Sequence, residues 1–121
     1  MPTKKMDIAV VRELALMLPG VEETILHGAP CFSVSGRLLT CPALHKSAEP
    51  NSLVVRINLQ ERARLLADNP SAYYLTGHYR NYASVLVRLG QIDRRSLSNL
   101  LEMAWYFVSS KPKLSRPKTR R

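Results

Sequence analysis

The chain has 121 residues, of which 45% are hydrophobic and 22% charged, a size and composition typical of one globular domain. Every apolar run is far shorter than the roughly 20 residues that a membrane-spanning helix requires. Because the N-terminal segment carries charged residues where a secretory signal is apolar, we expect a cytoplasmic protein without a membrane segment.

The formal net charge of +9 is concentrated at the two ends of the chain. Residues 111–121 hold six of the 18 lysine and arginine residues and no acid, and Lys4 and Lys5 precede the first predicted helix. The ten basic residues that remain are matched by nine acids, so the body is nearly neutral. We predict one domain at 7–110 and a basic, disordered tail at 111–121, whose charge suits an acidic partner such as nucleic acid.

The first half of the chain predicts a helix, a short strand and a hairpin. Asp7 is a good N-cap for a helix whose apolar residues recur every three or four positions. Ser35 and Gly36 form a two-residue turn, in which Gly36 supplies a positive φ. The predicted elements are a helix at 7–18, a short strand at 23–26, a connection at 27–30, hairpin strands at 32–34 and 37–41, and a polar loop at 42–51.

The second half predicts two strands and two helices. Asn58 and Glu61 have the spacing of a capping box, and Asp93 caps the longest helix, which carries a continuous apolar stripe. The predicted elements are a strand at 53–57, a short helix at 58–67, an aromatic and polar stretch at 73–82, a strand at 84–89, and a helix from 93 to 110.

Short links and the lack of regular crossover helices indicate an α+β fold with an antiparallel sheet of about four to five strands. We expect two layers, with the N- and C-terminal helices packed on one face of the sheet and a short helix in the middle of the chain. The other face then stays available, with Arg56 and Arg88 on neighbouring or nearby strands.

The two cysteines are predicted to lie apart. In a regular hairpin around residues 35–36, position 31 pairs with position 40, so Cys31 and Cys41 point to opposite faces of the sheet. We therefore expect no disulfide between them. The spacing of Cys41 and His45 matches no structural zinc motif, so no metal site is predicted either.

The sequence offers few groups from which to build a catalytic site. The three aspartates fall at helix boundaries, and Glu22 and Glu23 face opposite ways on a strand. No phosphate-binding, dinucleotide-binding, nucleophile-elbow or zinc-protease motif is present. We predict a protein that is not an enzyme and has no cofactor, with a site around His78 and Tyr79 as the enzymatic alternative.

Residues 76–82 combine hydrogen-bond donors with aromatic rings. Arg80 suits a phosphate or a guanine edge, Asn81 suits adenine, and Tyr79 or Tyr82 can stack on exposed bases. The alternative is a structural loop whose tyrosines bury their rings and keep their hydroxyls outward. Composition leaves both interpretations open.

Four motifs, in this order, resemble the MmcQ/YjbR family: LPGVEE at 18–23, HGAPCFSVSGR at 27–37, YYLTGHYRNY at 73–82, and VLVRL at 85–89. The resemblance covers about residues 7–110. It implies a compact α+β domain with an antiparallel sheet, in a double-wing arrangement associated with DNA binding. Within the motifs, Gly36 and Arg37 match a hairpin tip, and Arg80 and Arg88 match basic positions of the family.

From the motifs and the charge we predict a DNA-binding protein that contacts phosphates through hairpin tips and the basic tail. The predicted contacts are Arg37, Arg56, His78, Arg80, Asn81 and Arg88 in the body, and Lys111, Lys113, Arg116 and Lys118 in the tail. The alternative is a protein-interaction module, because the one-sided sheet also resembles secretion chaperones, which bind polypeptide. That alternative predicts an exposed apolar patch or a homodimer; the sequence leaves monomer and homodimer open.

Overall fold

The structure, a computed structural model, describes residues 6–110. Its helices are α1 (Ile8–Leu16), α2 (Leu59–Asp68), α3 (Gly77–Arg80) and α4 (Arg94–Ser110). Its strands are β1 (Val21–Leu26), β2 (Ala29–Val34), β3 (Arg37–Pro42), β4 (Ser52–Arg56), β5 (Tyr73–Tyr74) and β6 (Ser84–Arg88). A 3-10 turn, Leu89–Gln91, links β6 to α4.

Side-chain caps begin three of the helices, as predicted. Each cap accepts a hydrogen bond from a backbone amide that the helix itself leaves unpaired. The three bonds measure 2.7–3.0 Å, from Ala9 to Asp7, from Glu61 to Asn58, and from Ser96 to Asp93.

The strands form one antiparallel sheet in the order β1–β2–β3–β4–β6–β5. This confirms the predicted two-layer α+β fold. The strand number is six rather than four to five, because Tyr73 and Tyr74 pair with Val87 and Leu86 of β6. The aromatic stretch at 73–82 thus contains β5 and α3, two elements too short to show a hydrophobic period.

The first and last helices cover one face of the sheet, as expected. The fully buried side chains on this side come from both layers: Val11, Leu97 and Leu101 from the helices, and Phe32, Leu39, Leu53, Val55 and Val85 from the strands. We call the opposite side of the sheet the open face. Cys31, Cys41, Val54 and Arg56 lie on it and line a cavity described below.

A β-bulge in the β2–β3 hairpin corrects the predicted placement of the cysteines. The turn at Ser35 and Gly36 has positive φ values of 53° and 78°, which confirms the tight hairpin. Beyond the turn, however, Ser33 pairs with residue 38 while residue 32 pairs with residue 40, so Leu39 is an extra residue. This insertion shifts the register by one and places Cys31 opposite Cys41, on the same face.

The predicted tail at 111–121 lies outside the described residues. Within residues 6–110, no helix combines the length and the apolar character that crossing a bilayer requires.

Candidate functional site

The open face carries a cavity of about 690 Å³. Residues of β2, β3 and β4 line it on the sheet side, and Leu44, His45, His78, Tyr79 and Tyr82 line it on the loop side. This volume lies in the usual range of small-molecule sites, about 300–1,000 Å³. Of the described residues that line the cavity, none is an aspartate or a glutamate. The described lining therefore holds no carboxylate that would repel an anion.

Arg56 brings a positive charge to this cavity. It lies at the end of β4, opposite Ser84 of β6. Its Nε atom is buried and has no hydrogen-bond partner among residues 6–110. A buried donor without an acceptor costs about 1–3 kcal/mol. An anionic oxygen that reaches this atom, after the atoms that cover it move aside, would remove that cost.

Two histidine rings stack at the side of the cavity. The ring centroids of His45 and His78 are 3.6 Å apart, and the ring planes differ by 6°. The backbone amide of Ser47 donates to Nδ1 of His45 at 3.1 Å, so a neutral His45 carries its proton on Nε2. Loss of solvent lowers the pKa of His45, and electrostatic interaction with His78 and Lys46 lowers it further. The neutral form of His45 avoids charge repulsion within the stack.

Hydrogen bonds join the loop at 42–51 to the α3 segment. The backbone amide of His45 donates to the hydroxyl of Tyr79 at 3.2 Å. The hydroxyl groups of Ser47 and Thr76 are 2.8 Å apart. These contacts hold the two histidine-bearing segments side by side, although about thirty residues of chain separate them.

Arg62 is a positioning residue that the sequence analysis missed. It lies on α2, and one of its terminal nitrogens donates to three backbone carbonyls at 2.8–3.2 Å, those of Arg80, Tyr82 and Ser84. These bonds fix the path of the chain from α3 into β6. Nothing in the local pattern of α2 indicates this contact, because Arg62 reads as an ordinary exposed helix residue.

Four of the predicted DNA contacts lie in or beside the cavity. Arg56 and His78 line it, whereas Arg80 and Asn81 are exposed at the end of α3, directly after His78 and Tyr79. The guanidinium group of Arg80 makes no hydrogen bond or ion pair with the part of the chain that the structure describes. This side chain is thus available to an external partner.

The other two arginines among the predicted DNA contacts, Arg37 and Arg88, have partners elsewhere in the fold. Arg88 lies at the opposite end of the sheet from Arg56 and binds both carboxylate oxygens of Glu49 at 2.8 Å. Arg37 donates to the backbone carbonyl of Val108, near the end of α4, at 3.1 Å. Their contact with DNA stays a prediction. Lys111, Lys113, Arg116 and Lys118 lie outside the described residues.

The two cysteines meet on the sheet side of the cavity. Burial, reinforced by the neighbouring Cys31 thiol, raises the pKa of the Cys41 thiol well above its ordinary value. Both are free thiols. Across residues 6–110, no three histidine, cysteine or carboxylate groups are placed to hold one metal ion.

The fold is similar to that of a protein whose crystal structure is known. Protein DR2400 of Deinococcus radiodurans, which contains a DUF419 domain, superimposes with a TM-score of 0.73 over 92% of this chain and 84% of DR2400, at 19% identity. DUF419 is the MmcQ/YjbR-like family. At this identity the likeness establishes the shared fold.

In sequence, the chain is 34% identical over 68 residues to uncharacterised proteins of Mycobacterium tuberculosis (Rv2570) and Mycobacterium bovis (Mb2600). The match spans 54% of this chain and about half, 53%, of each relative. No family model matches the chain.

Proposed function

We propose that this protein binds a small organic anion in the open-face cavity and does not catalyse a reaction. The observation that carries the proposal is the buried Nε of Arg56, which has no acceptor among the described residues. A carboxylate or phosphate oxygen at this position gains a charge-assisted hydrogen bond, the stronger kind in proteins. The apolar lining, which includes Ala29, Leu38 and Val54, suits an apolar or aromatic body for the same ligand.

We also propose that the chain belongs to the DUF419, or MmcQ/YjbR, family. Two observations support membership: the order and spacing of the four sequence motifs, and the fold shared with DR2400. The motif at 27–37 forms the turn between β1 and β2, the whole of β2 and the turn into β3, and the motif at 73–82 forms β5 and α3. Both motifs therefore contribute residues to the cavity.

A titration of the full chain with matched pairs of compounds tests the ligand proposal. Each pair consists of an anion and its neutral analogue: aromatic carboxylates against their amides, and nucleoside monophosphates against their nucleosides. We expect the anionic member of at least one pair to raise the melting temperature and to give a saturable calorimetric isotherm. Equal binding of both members, or binding of neither, contradicts the proposal.

Two arginine variants locate the binding. Arg56→Gln removes the charge from the cavity, whereas Arg80→Gln removes an equal charge from an exposed position outside the cavity lining. We expect Arg56→Gln to weaken anion binding by about tenfold or more, because a charge-assisted bond is worth about 1.5–3 kcal/mol. Arg80→Gln should bind as the wild type does. If Arg80→Gln instead weakens anion binding and Arg56→Gln does not, the ligand binds outside the cavity.

Duplex DNA is the second candidate ligand, and the exposed end of α3 favours it. His78, Arg80 and Asn81 are exposed there, on one short segment whose path Arg62 fixes. These side chains offer a phosphate-binding cation and base-edge donors together. The basic residues of the tail add nonspecific attraction to phosphates.

Fluorescence anisotropy of a labelled random duplex, at several salt concentrations, tests this second candidate. If six tail charges contact phosphates, a plot of the logarithm of the affinity against the logarithm of the salt concentration has a negative slope whose magnitude is at most about 5. Binding that survives truncation after Ser110 and is weakened by Arg80→Gln assigns recognition to the folded body. Loss of all binding on truncation assigns the interaction to nonspecific attraction between the tail charges and the phosphates.

A further inference from the structure

Cys31 and Cys41 are neighbours on adjacent antiparallel strands. Because residue 32 pairs with residue 40, continuing this register by one residue sets Cys31 opposite Cys41, and both line the same cavity. Directly opposed residues of antiparallel strands have Cα atoms about 4.5–5.5 Å apart, and disulfides form at about 4.4–6.8 Å. The Cys31 thiol is near enough to help raise the pKa of the Cys41 thiol, and both side chains line one cavity. The backbone therefore needs little movement for a bond between the two sulfur atoms.

The cavity gives reagents access to one of the two thiols. Both cysteines line it, but Cys31 is only 4% exposed, whereas Cys41 is partly exposed. A cavity of about 690 Å³ has room for part of a low-molecular-weight disulfide. Cys41 is thus the thiol that an incoming reagent meets first, and Cys31 is its shielded neighbour.

We propose that Cys31 and Cys41 form a thiol–disulfide site that a small disulfide reagent converts reversibly into an intramolecular disulfide. The Cys41 thiolate attacks one sulfur of the reagent and expels the other half as a thiolate, which takes up a proton. The result is a mixed disulfide on Cys41. Cys31 then loses its proton to solvent, attacks the Cys41 sulfur and expels the second half of the reagent. The two cysteines are oxidised together, and one reagent disulfide is reduced to two thiols.

The surroundings of Cys41 determine the pH dependence of this reaction. Because burial raises the pKa of Cys41, only a small fraction is thiolate at neutral pH. While the pH is below that pKa, the thiolate fraction grows about tenfold for each unit by which the pH rises. The first step should therefore be slow near pH 7 and accelerate steeply toward pH 9.

Mass spectrometry of the intact full chain with glutathione disulfide, at about pH 8.5, tests the proposal. The wild type should lose the mass of two hydrogen atoms, lose both titratable thiols and regain them with dithiothreitol. Cys31→Ala should stop at one glutathionyl adduct on Cys41, because the second thiol is missing. Cys41→Ala should stay unmodified, because Cys31 is shielded. Circular dichroism of each variant establishes that it is folded.

Three results overturn the proposal. One is a wild type that accumulates a glutathionyl adduct without closing the second bond. Another is a wild type that forms dimers linked between chains. The third is a wild type that keeps both thiols while an unfolded sample in urea reacts under the same conditions. If Cys31→Ala does not fold, quenching the wild-type reaction early with acid still reveals whether the mixed disulfide forms first.

Discussion

Replacing Arg88 by glutamine separates a structural role for this arginine from the predicted contact with DNA. In the fold, Arg88 donates to both carboxylate oxygens of Glu49 at 2.8 Å and to the carbonyls of Pro70 and Ser71 at 3.1 Å. Its guanidinium carbon also lies 4.2 Å from the centre of the Tyr74 ring. One side chain thus ties β6 to the loop at 42–51 and to the segment between α2 and β5.

The size of the effect follows from these contacts. Two hydrogen bonds from a charged donor to carbonyls contribute about 1 kcal/mol each after allowance for their partial exposure. Stacking on the Tyr74 ring adds about 0.5 kcal/mol, and the exposed ion pair adds little. We expect Arg88→Gln to lower the free energy of unfolding by about 2 kcal/mol, which for a domain near 100 residues lowers the melting temperature by about 10 °C.

Thermal unfolding followed by circular dichroism measures this difference, with Arg80→Gln as the control. Both variants remove one positive charge, but Arg80 makes no side-chain hydrogen bond within the described residues, so its variant should melt within about 2 °C of the wild type. An Arg88→Gln protein that melts like the wild type while losing affinity for duplex DNA would refute the structural role and favour the sequence-based prediction.

Three further predictions concern oxidation and pH. Closing the bond between Cys31 and Cys41, which are ten positions apart, should stabilise the fold by about 2–3 kcal/mol; an unchanged melting temperature in the oxidised protein argues against an unstrained bridge. The carboxyl groups of Glu23 and Glu49 have a lower pKa in the folded chain because an arginine donates to each. Their contribution to stability is therefore complete above the unfolded pKa near 4.5 and is lost as the pH falls through the folded pKa values. Urea unfolding at neutral and acidic pH measures this loss, and equal stability at both contradicts the pairing. The pKa of His45 is lowered in the unliganded cavity and should rise beside a bound anion. Anion affinity should therefore increase as the pH falls through 6.5 and below. Calorimetry that shows pH-independent affinity excludes His45 from the ligand's surroundings.

Local chemistry in the sequence was enough to locate most of the fold. Asp7, Asn58 and Asp93 act through the amides two or three residues ahead, so a short window of sequence contains the whole interaction. The hairpin turn at Ser35 and Gly36 is equally local. The apolar spacing of the first and last helices indicates which of their faces are buried, which is why the packing of both on one side of the sheet was predicted correctly.

The placement of the cysteines could not be predicted because it depends on one inserted residue. Strand alternation assumes two residues per repeat, and the bulge at Leu39 breaks that count with no glycine or proline to mark it. A shift of one residue exchanges the two faces of a strand. Cys41 therefore lies on the open face beside Cys31, and not on the face opposite Cys31 as predicted.

The cavity itself depends on contacts between distant parts of the chain. The stack of His45 on His78, the bond from His45 to Tyr79 and the carbonyl contacts of Arg62 join segments that are 18 or more positions apart. No local period signals such contacts. The sequence did single out His78 and Arg56, but as phosphate contacts on a surface rather than as the lining of one cavity.

The most direct test of the ligand proposal is the nuclear magnetic resonance signal of the Arg56 Nε–H group, assigned by its absence in Arg56→Gln. Before ligand is added, burial should slow its exchange with water relative to exposed arginines such as Arg80 and Arg95. Titration with an aromatic carboxylate that binds should shift the Arg56 signal as a hydrogen bond forms, and should leave the Arg80 signal in place. Saturable binding that leaves the Arg56 signal unchanged would contradict the proposal that this atom holds the anion.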